Sequence, residues 1–170
     1  MTHEKNVTVT FEQMKGAIGS LLFLWSQIEK ELADSLSVLQ DDRLPKATRG
    51  IARSIDLWSG EIQRRAGQDV LTNQLRNHLV DHLREALNVR NLVCHGLIGI
   101  TARIGSADAE AHLTVKLDDV TRTLSWTELQ SLFERMSKAR SLIRDMTMAA
   151  SNPVRGNALL QNWRDFPFQQ

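Results

Sequence analysis

Residues 88–96 read NVRNLVCHG, placing an arginine, two asparagines and a histidine at the end of a helix that otherwise runs apolar. On a helical wheel of about 100° per residue with Arg90 at zero, Leu79, Leu83, Ala86, Leu87, Val93 and Cys94 fall within roughly 60° of it. Arg90 is therefore expected near the centre of the apolar stripe. An unpaired guanidinium is costly there, so such an arginine is paired, faces a polar pocket or meets an anionic ligand. Arg84, Asn88, Asn91 and His95 follow at spacings of four, three and four, forming a polar line on the adjacent face. Arg90, Asn91 and His95 are expected to converge where Gly96 stops the helix. Each residue alone has a structural use, because an arginine can pack its stem and snorkel while a terminal histidine complements the helix dipole.

Other residue sets carry weaker signals. HLVDH at 78–82 puts two histidines four apart, a spacing able to share a metal, but Asp81 stands where zinc-protease motifs have glutamate and no third ligand is evident. No metal or other cofactor is expected. Cys94 falls on the apolar stripe and reads as a buried structural thiol. Lys46, Arg49 and Arg53 form a basic stripe, which is either a solvated face or an added contact surface. Trp25, Trp58 and Trp126 read as core, whereas Trp163, Phe166 and Phe168 form an aromatic tail of open role.

The elements that must position these groups are mainly helical. Thr10 and Gln13 have capping-box spacing, and apolar residues then recur at Phe11, Met14, Ile18, Leu21, Trp25, Ile28, Leu32 and Leu39. After DDRLP at 41–45, with Pro45 suited to a first helical turn, a second helix runs to about Arg65 and buries Ile51, Ile55, Leu57, Trp58 and Ile62. A third covers roughly 69–95. The period then changes to two, with Ile98, Ile100, Ala102 and Ile104 followed by Leu113, Val115 and Leu117, the rhythm of a β-hairpin with a short third strand at 121–124. Ser125 and Glu128 open a fourth helix through Leu129, Leu132, Phe133, Met136, Ile143 and Met146. The expectation is a mainly α fold, an antiparallel four-helix bundle with a small hairpin between helices three and four. It forms one domain over 1–150, followed by a loosely held tail over 151–170.

Composition narrows the class. At 170 residues the chain can bury one substantial core, and 42% hydrophobic with 24% charged residues argues against wholesale disorder. A net charge of +1 supplies no global basic field, so any nucleic-acid contact must be local. One cysteine excludes an internal disulfide framework, and neither a signal peptide nor a membrane-spanning run is recognisable. A cytoplasmic protein without membrane partners is expected.

The segment RNLVCH, Arg90 to His95, resembles the motif of the HEPN superfamily: arginine, usually a polar residue next, then histidine after four to six intervening residues. The element order is also similar to HEPN over about residues 10–149. The resemblance implies a metal-independent endoribonuclease, often the toxin of a toxin–antitoxin or phage-defence system, working as a homodimer with two facing motifs. It implies that Arg90 stabilises the pentacoordinate phosphate, that His95 serves as general acid–base, and that Asn91 orients the histidine or phosphate. The attacking group would be the RNA 2′-hydroxyl. Arg84, Asn88, Lys46, Arg49 and Arg53 lie outside the motif and are expected as substrate or dimer contacts. An antitoxin partner is the further implied contact. Many HEPN proteins are instead non-catalytic dimerisation, RNA-binding or partner-binding modules, and this chain is less basic than many family ribonucleases.

Overall fold

The computed structural model describes residues 9–40, 50–102 and 110–164. Five helices and three strands follow in the order α1 (Phe11–Leu39), α2 (Ile51–Ala66), α3 (Val70–Gly96), β1 (Leu97–Thr101), β2 (His112–Leu117), β3 (Val120–Ser125), α4 (Trp126–Ser151) and α5 (Pro153–Gln161). Both capping boxes form. The side chain of Thr10 accepts from Gln13 N while Gln13 reaches back to the Thr10 amide, and Ser125 and Glu128 repeat the arrangement. Each box satisfies backbone donors that a helix start leaves open, which fixes both starts within a few residues of sequence.

α1, α2, α3 and α4 share one apolar core. Along α1 the buried residues include Met14, Ala17, Leu21, Trp25, Ile28, Leu32, Leu36 and Leu39; Phe11 is instead exposed and Ile18 only partly buried. α4 answers with Leu129, Leu132, Met136, Ala139, Ile143 and Met146. Each fully buried aliphatic side chain of this kind contributes about 2 kcal/mol. Of the tryptophans expected in the core, Trp25 and Trp58 are buried and Trp126 packs partly against it. The Trp58 indole donates to Thr147 Oγ1 at 3.0 Å, and that hydroxyl donates to Ile143 O, so the polar atoms stay satisfied. α1 and α4 are also joined by Glu31, which accepts from Arg140 at 3.3 Å and Arg144 at 2.9 Å. Burial pushes the Glu31 carboxyl up, but the two guanidiniums outweigh this and hold it below its ordinary range.

The sheet is antiparallel in the order β1-β2-β3, so the short third strand is a full partner of β2. Leu113, Val115 and Leu124 face the core as the alternation requires. β1 departs from it, because a bulge between Leu97 and Gly99 turns Ile98 outward, where it is exposed. No loop separates α3 from β1. Gly96 ends the helix so close to β2 that a Cβ there would stand 2.4 Å from the Lys116 carbonyl oxygen.

The C-terminal region also differs from the loosely held tail expected. Residues 153–161 form α5, with Asn152 capping the Arg155 amide and Pro153 in the first turn. Gly156 lets α5 lie against α4, since a Cβ there would stand 2.0 Å from the Ala149 Cα. Leu160 is buried, and the Trp163 indole donates to Asp145 at 2.8 Å. Phe166 and Phe168 fall outside the described residues, as do Pro45, Lys46, Arg49 and Ile104. Among the described residues no helix is long and apolar enough to cross a membrane.

Candidate functional site

The buried residues of α3 include Thr72, Leu75, Leu79, His82, Ala86, Val89, Val93 and Gly96, spaced alternately by three and four. A strict seven-residue seam drifts by about 20° per heptad on a straight helix. By the C-terminal half, its centre has therefore moved toward the Val89 side. This corrects two expectations from the wheel. Arg90 lies on the flank of the seam, half-buried, rather than at its centre, and Cys94 is exposed rather than a buried core thiol. Leu87 is likewise only partly buried.

Arg90 nevertheless keeps an unusual environment. Its Nη1 donates to Asn91 Oδ1 at 3.0 Å, while its Nε is sealed from solvent without a hydrogen-bond partner. No carboxylate pairs with it among the described residues. The guanidinium thus has donor capacity directed away from a neutral amide and a positive charge left uncompensated.

His95 occupies the last turn of α3 and is exposed. Arg90 and Asn91 are brought together, but His95 is hydrogen-bonded to neither within this chain. The wheel gives the reason. His95 stands about 140° from Arg90, with Asn91 between them. The remaining polar-line residues stay on the outer side. Asn88 is exposed, and Arg84 donates to Asp56 of α2 at 2.8 Å with both side chains 60% exposed. Such a pair is worth at most about 1 kcal/mol, and an incoming phosphate can compete for the arginine. Arg53 is exposed on α2.

A second arginine–asparagine pair lies 14 residues earlier on the same helix. Arg76 donates to Asn77 Oδ1 at 2.8 Å, repeating the Arg90–Asn91 contact, and a histidine, His82, follows six positions after Arg76, where His95 follows five after Arg90. The two sets have different environments. Arg76 is 9% exposed and also donates to Gln63 Oε1 at 2.8 Å and Ser59 Oγ, tying α3 to α2. His82 is 5% exposed, and neither ring nitrogen has a hydrogen-bond partner. Burial, aided by the Arg135 charge, pushes it down to about 4, an effect that Glu85 at 3.8 Å only partly opposes. Arg76 and His82 are therefore inside the fold, with the histidine held neutral and Asn77 at the surface, whereas Arg90 and Asn91 are half-buried and His95 is exposed. The two-heptad repeat was the signal in the sequence for this internal pair. Burial separates the roles. The same burial divides the histidines of HLVDH, since His78 is exposed.

A groove of about 720 Å³ runs between α1 and α4, lined by Ser20, Phe23, Leu24, Phe133 and neighbouring polar residues. It includes no residue of the Arg90 set. The Arg90–His95 site is an open surface at a helix end, a geometry suited to an extended ligand or to a second protein surface. No protein-family model, curated protein or solved structure matches this chain.

Proposed function

We propose that this chain is a HEPN-type protein in which α1–α4 act as an antiparallel four-helix bundle, and that a homodimer of it cleaves RNA without metal. The observation that supports this reading is the uncompensated, half-buried Arg90 guanidinium on the same helix end as an exposed His95, five positions on. A cation left without a carboxylate is matched by a phosphodiester, and an exposed imidazole can exchange protons with a bound ribose.

In the proposed reaction, one copy of His95 takes the proton from the RNA 2′-hydroxyl. The oxygen attacks the adjacent phosphorus, and Arg90 stabilises the charge on the pentacoordinate phosphate. The 5′-oxygen leaves with a proton from the second copy of His95, giving a 2′,3′-cyclic phosphate and a 5′-hydroxyl. Asn91 fixes the guanidinium through its side-chain oxygen. Arg84, Asn88 and Arg53 lie on exposed surface suited to flanking phosphates or the second subunit, and Lys46 and Arg49 are assigned the same use from sequence. The reading carries with it a cytoplasmic setting and an antitoxin that covers the site.

The test is incubation of single-stranded RNA with the purified protein in EDTA. Cleavage leaving cyclic phosphate ends is expected, with loss of cleavage in His95→Ala and Arg90→Ala while the dimer persists. A folded protein that leaves every RNA intact overturns the enzyme reading. If the two variants dissociate the dimer instead, the site is an interaction surface.

A further inference from the structure

Lys116 is separated from the Arg90 set by twenty or more residues in sequence, but the sheet brings its backbone to the end of α3. Leu97 pairs with Val115, so Gly96 and Lys116 are the next opposed positions. Their backbones are in close contact, as a Cβ on Gly96 would stand 2.4 Å from the Lys116 carbonyl oxygen. Gly96 directly follows His95. The backbone carrying Lys116 therefore lies one residue from the backbone carrying the imidazole, within the reach of a four-carbon side chain.

The surroundings of Lys116 favour contact with a polyanion. It alternates with inward-facing Val115 and is exposed. No carboxylate pairs with it among the described residues; Asp118 and Asp119 occupy the following turn, where both adopt positive φ, without bridging to it. Its cross-strand partner Thr121 and the neighbouring Thr123 are exposed hydroxyls, and Thr114 on the same face is half-buried. Hydroxyls and lysines are frequent phosphate contacts, which position a nucleic acid without reading its sequence.

We infer that Lys116 holds a backbone phosphate of the RNA next to the scissile one, with the threonine-bearing outer face of the sheet as the surface over which the strand leaves the site. This inference rests on the RNA-cleaving reading above and adds to it a surface supplied by the three-stranded insertion. Lys116 is a substrate-positioning residue, since its charge fixes the strand while Arg90 and His95 meet the reacting atoms.

The test compares wild type, Lys116→Gln, Lys116→Arg and Arg64→Gln, with binding of a fluorescent single-stranded RNA measured across a salt series and cleavage measured in EDTA. Arg64 is the charge-loss control, because it is exposed near the end of α2, at the far end of α3 from His95. Lys116→Gln should weaken binding about three- to tenfold at low salt and reduce the magnitude of the log–log salt slope by about 0.7. The loss should fall on KM rather than kcat, with Lys116→Arg restoring it. Lys116→Gln indistinguishable from Arg64→Gln, in a wild-type protein that cleaves RNA, overturns this inference and leaves the reading of the site standing. A wild type that neither binds nor cleaves RNA removes both.

Discussion

Arg90 Nη1 donates to Asn91 Oδ1 at 3.0 Å, and 14 residues earlier Arg76 Nη2 donates to Asn77 Oδ1 at 2.8 Å. The local contact is the same, but only Arg76 reaches a second helix through Gln63 and Ser59. The difference separates a packing role from the proposed chemical one.

Replacing each arginine by alanine should therefore give opposite results. Arg76→Ala removes a buried side chain together with its hydrogen bonds to α2, and should cost about 1–3 kcal/mol of unfolding free energy. Arg90→Ala should cost less than about 1 kcal/mol, yet lower RNA cleavage on the order of a hundredfold or more. Arg90→Lys should not restore cleavage, since an ammonium cannot keep the Asn91 contact and present a planar fork together. Urea unfolding and cleavage rates measured on the same preparations decide it. Equal stability losses with unchanged cleavage in both would remove the chemical role of Arg90.

His82 should make the fold acid-sensitive. Its unfolded form binds a proton near the ordinary value of 6.5, whereas burial holds the folded form to about 4. The unfolded state therefore takes up more protons between these limits, and stability falls as pH drops from 6.5 toward 4. The full effect is about 3 kcal/mol. Denaturant unfolding at pH 7 and pH 5 should show about 2 kcal/mol of it in the wild type. His82→Leu should remove that component. A variant with an unchanged pH slope would place the acid sensitivity on other groups.

Gly156 seats α5 by backbone contact with Ala149, so Gly156→Ala should release the helix without unfolding the core. Trp163 would then lose its Asp145 contact, shifting its fluorescence to the red, and trypsin should cut at Arg155 before any site in α1–α4. The expected cost is about 1–3 kcal/mol, confined to this element. Cleavage kinetics identical to the wild type would show that the contact at Ala149 does not hold α5.

Local signals were legible in the amino-acid sequence because their causes are local. Thr10 with Gln13 and Ser125 with Glu128 bond within one helical turn, and both helix starts follow from them. The change of period after Gly96 likewise marked the strands, since side-chain alternation is a property of an extended chain. The Arg90, Asn91 and His95 spacing was visible for the same reason. α5 was not legible because what holds it, Gly156 against Ala149, buried Leu160 and the Trp163–Asp145 bond, exists only once the chain has turned back along α4.

Tertiary packing decided what each of these residues faces. The drift of the α3 seam moved Arg90 to a flank and turned Cys94 outward, because helices packing on a seven-residue repeat do not keep the phase of an ideal wheel. The bulge after Leu97 reversed Ile98, an effect that depends on the register of β2. Most of all, the sequence determined two similar arginine–asparagine–histidine sets on one helix. Only the fold, by placing Arg76 against α2 and His82 near the Arg135 charge of α4, enclosed the first arginine and histidine, while ending α3 in a sheet left His95 at the surface, because burial depends on which elements meet in space.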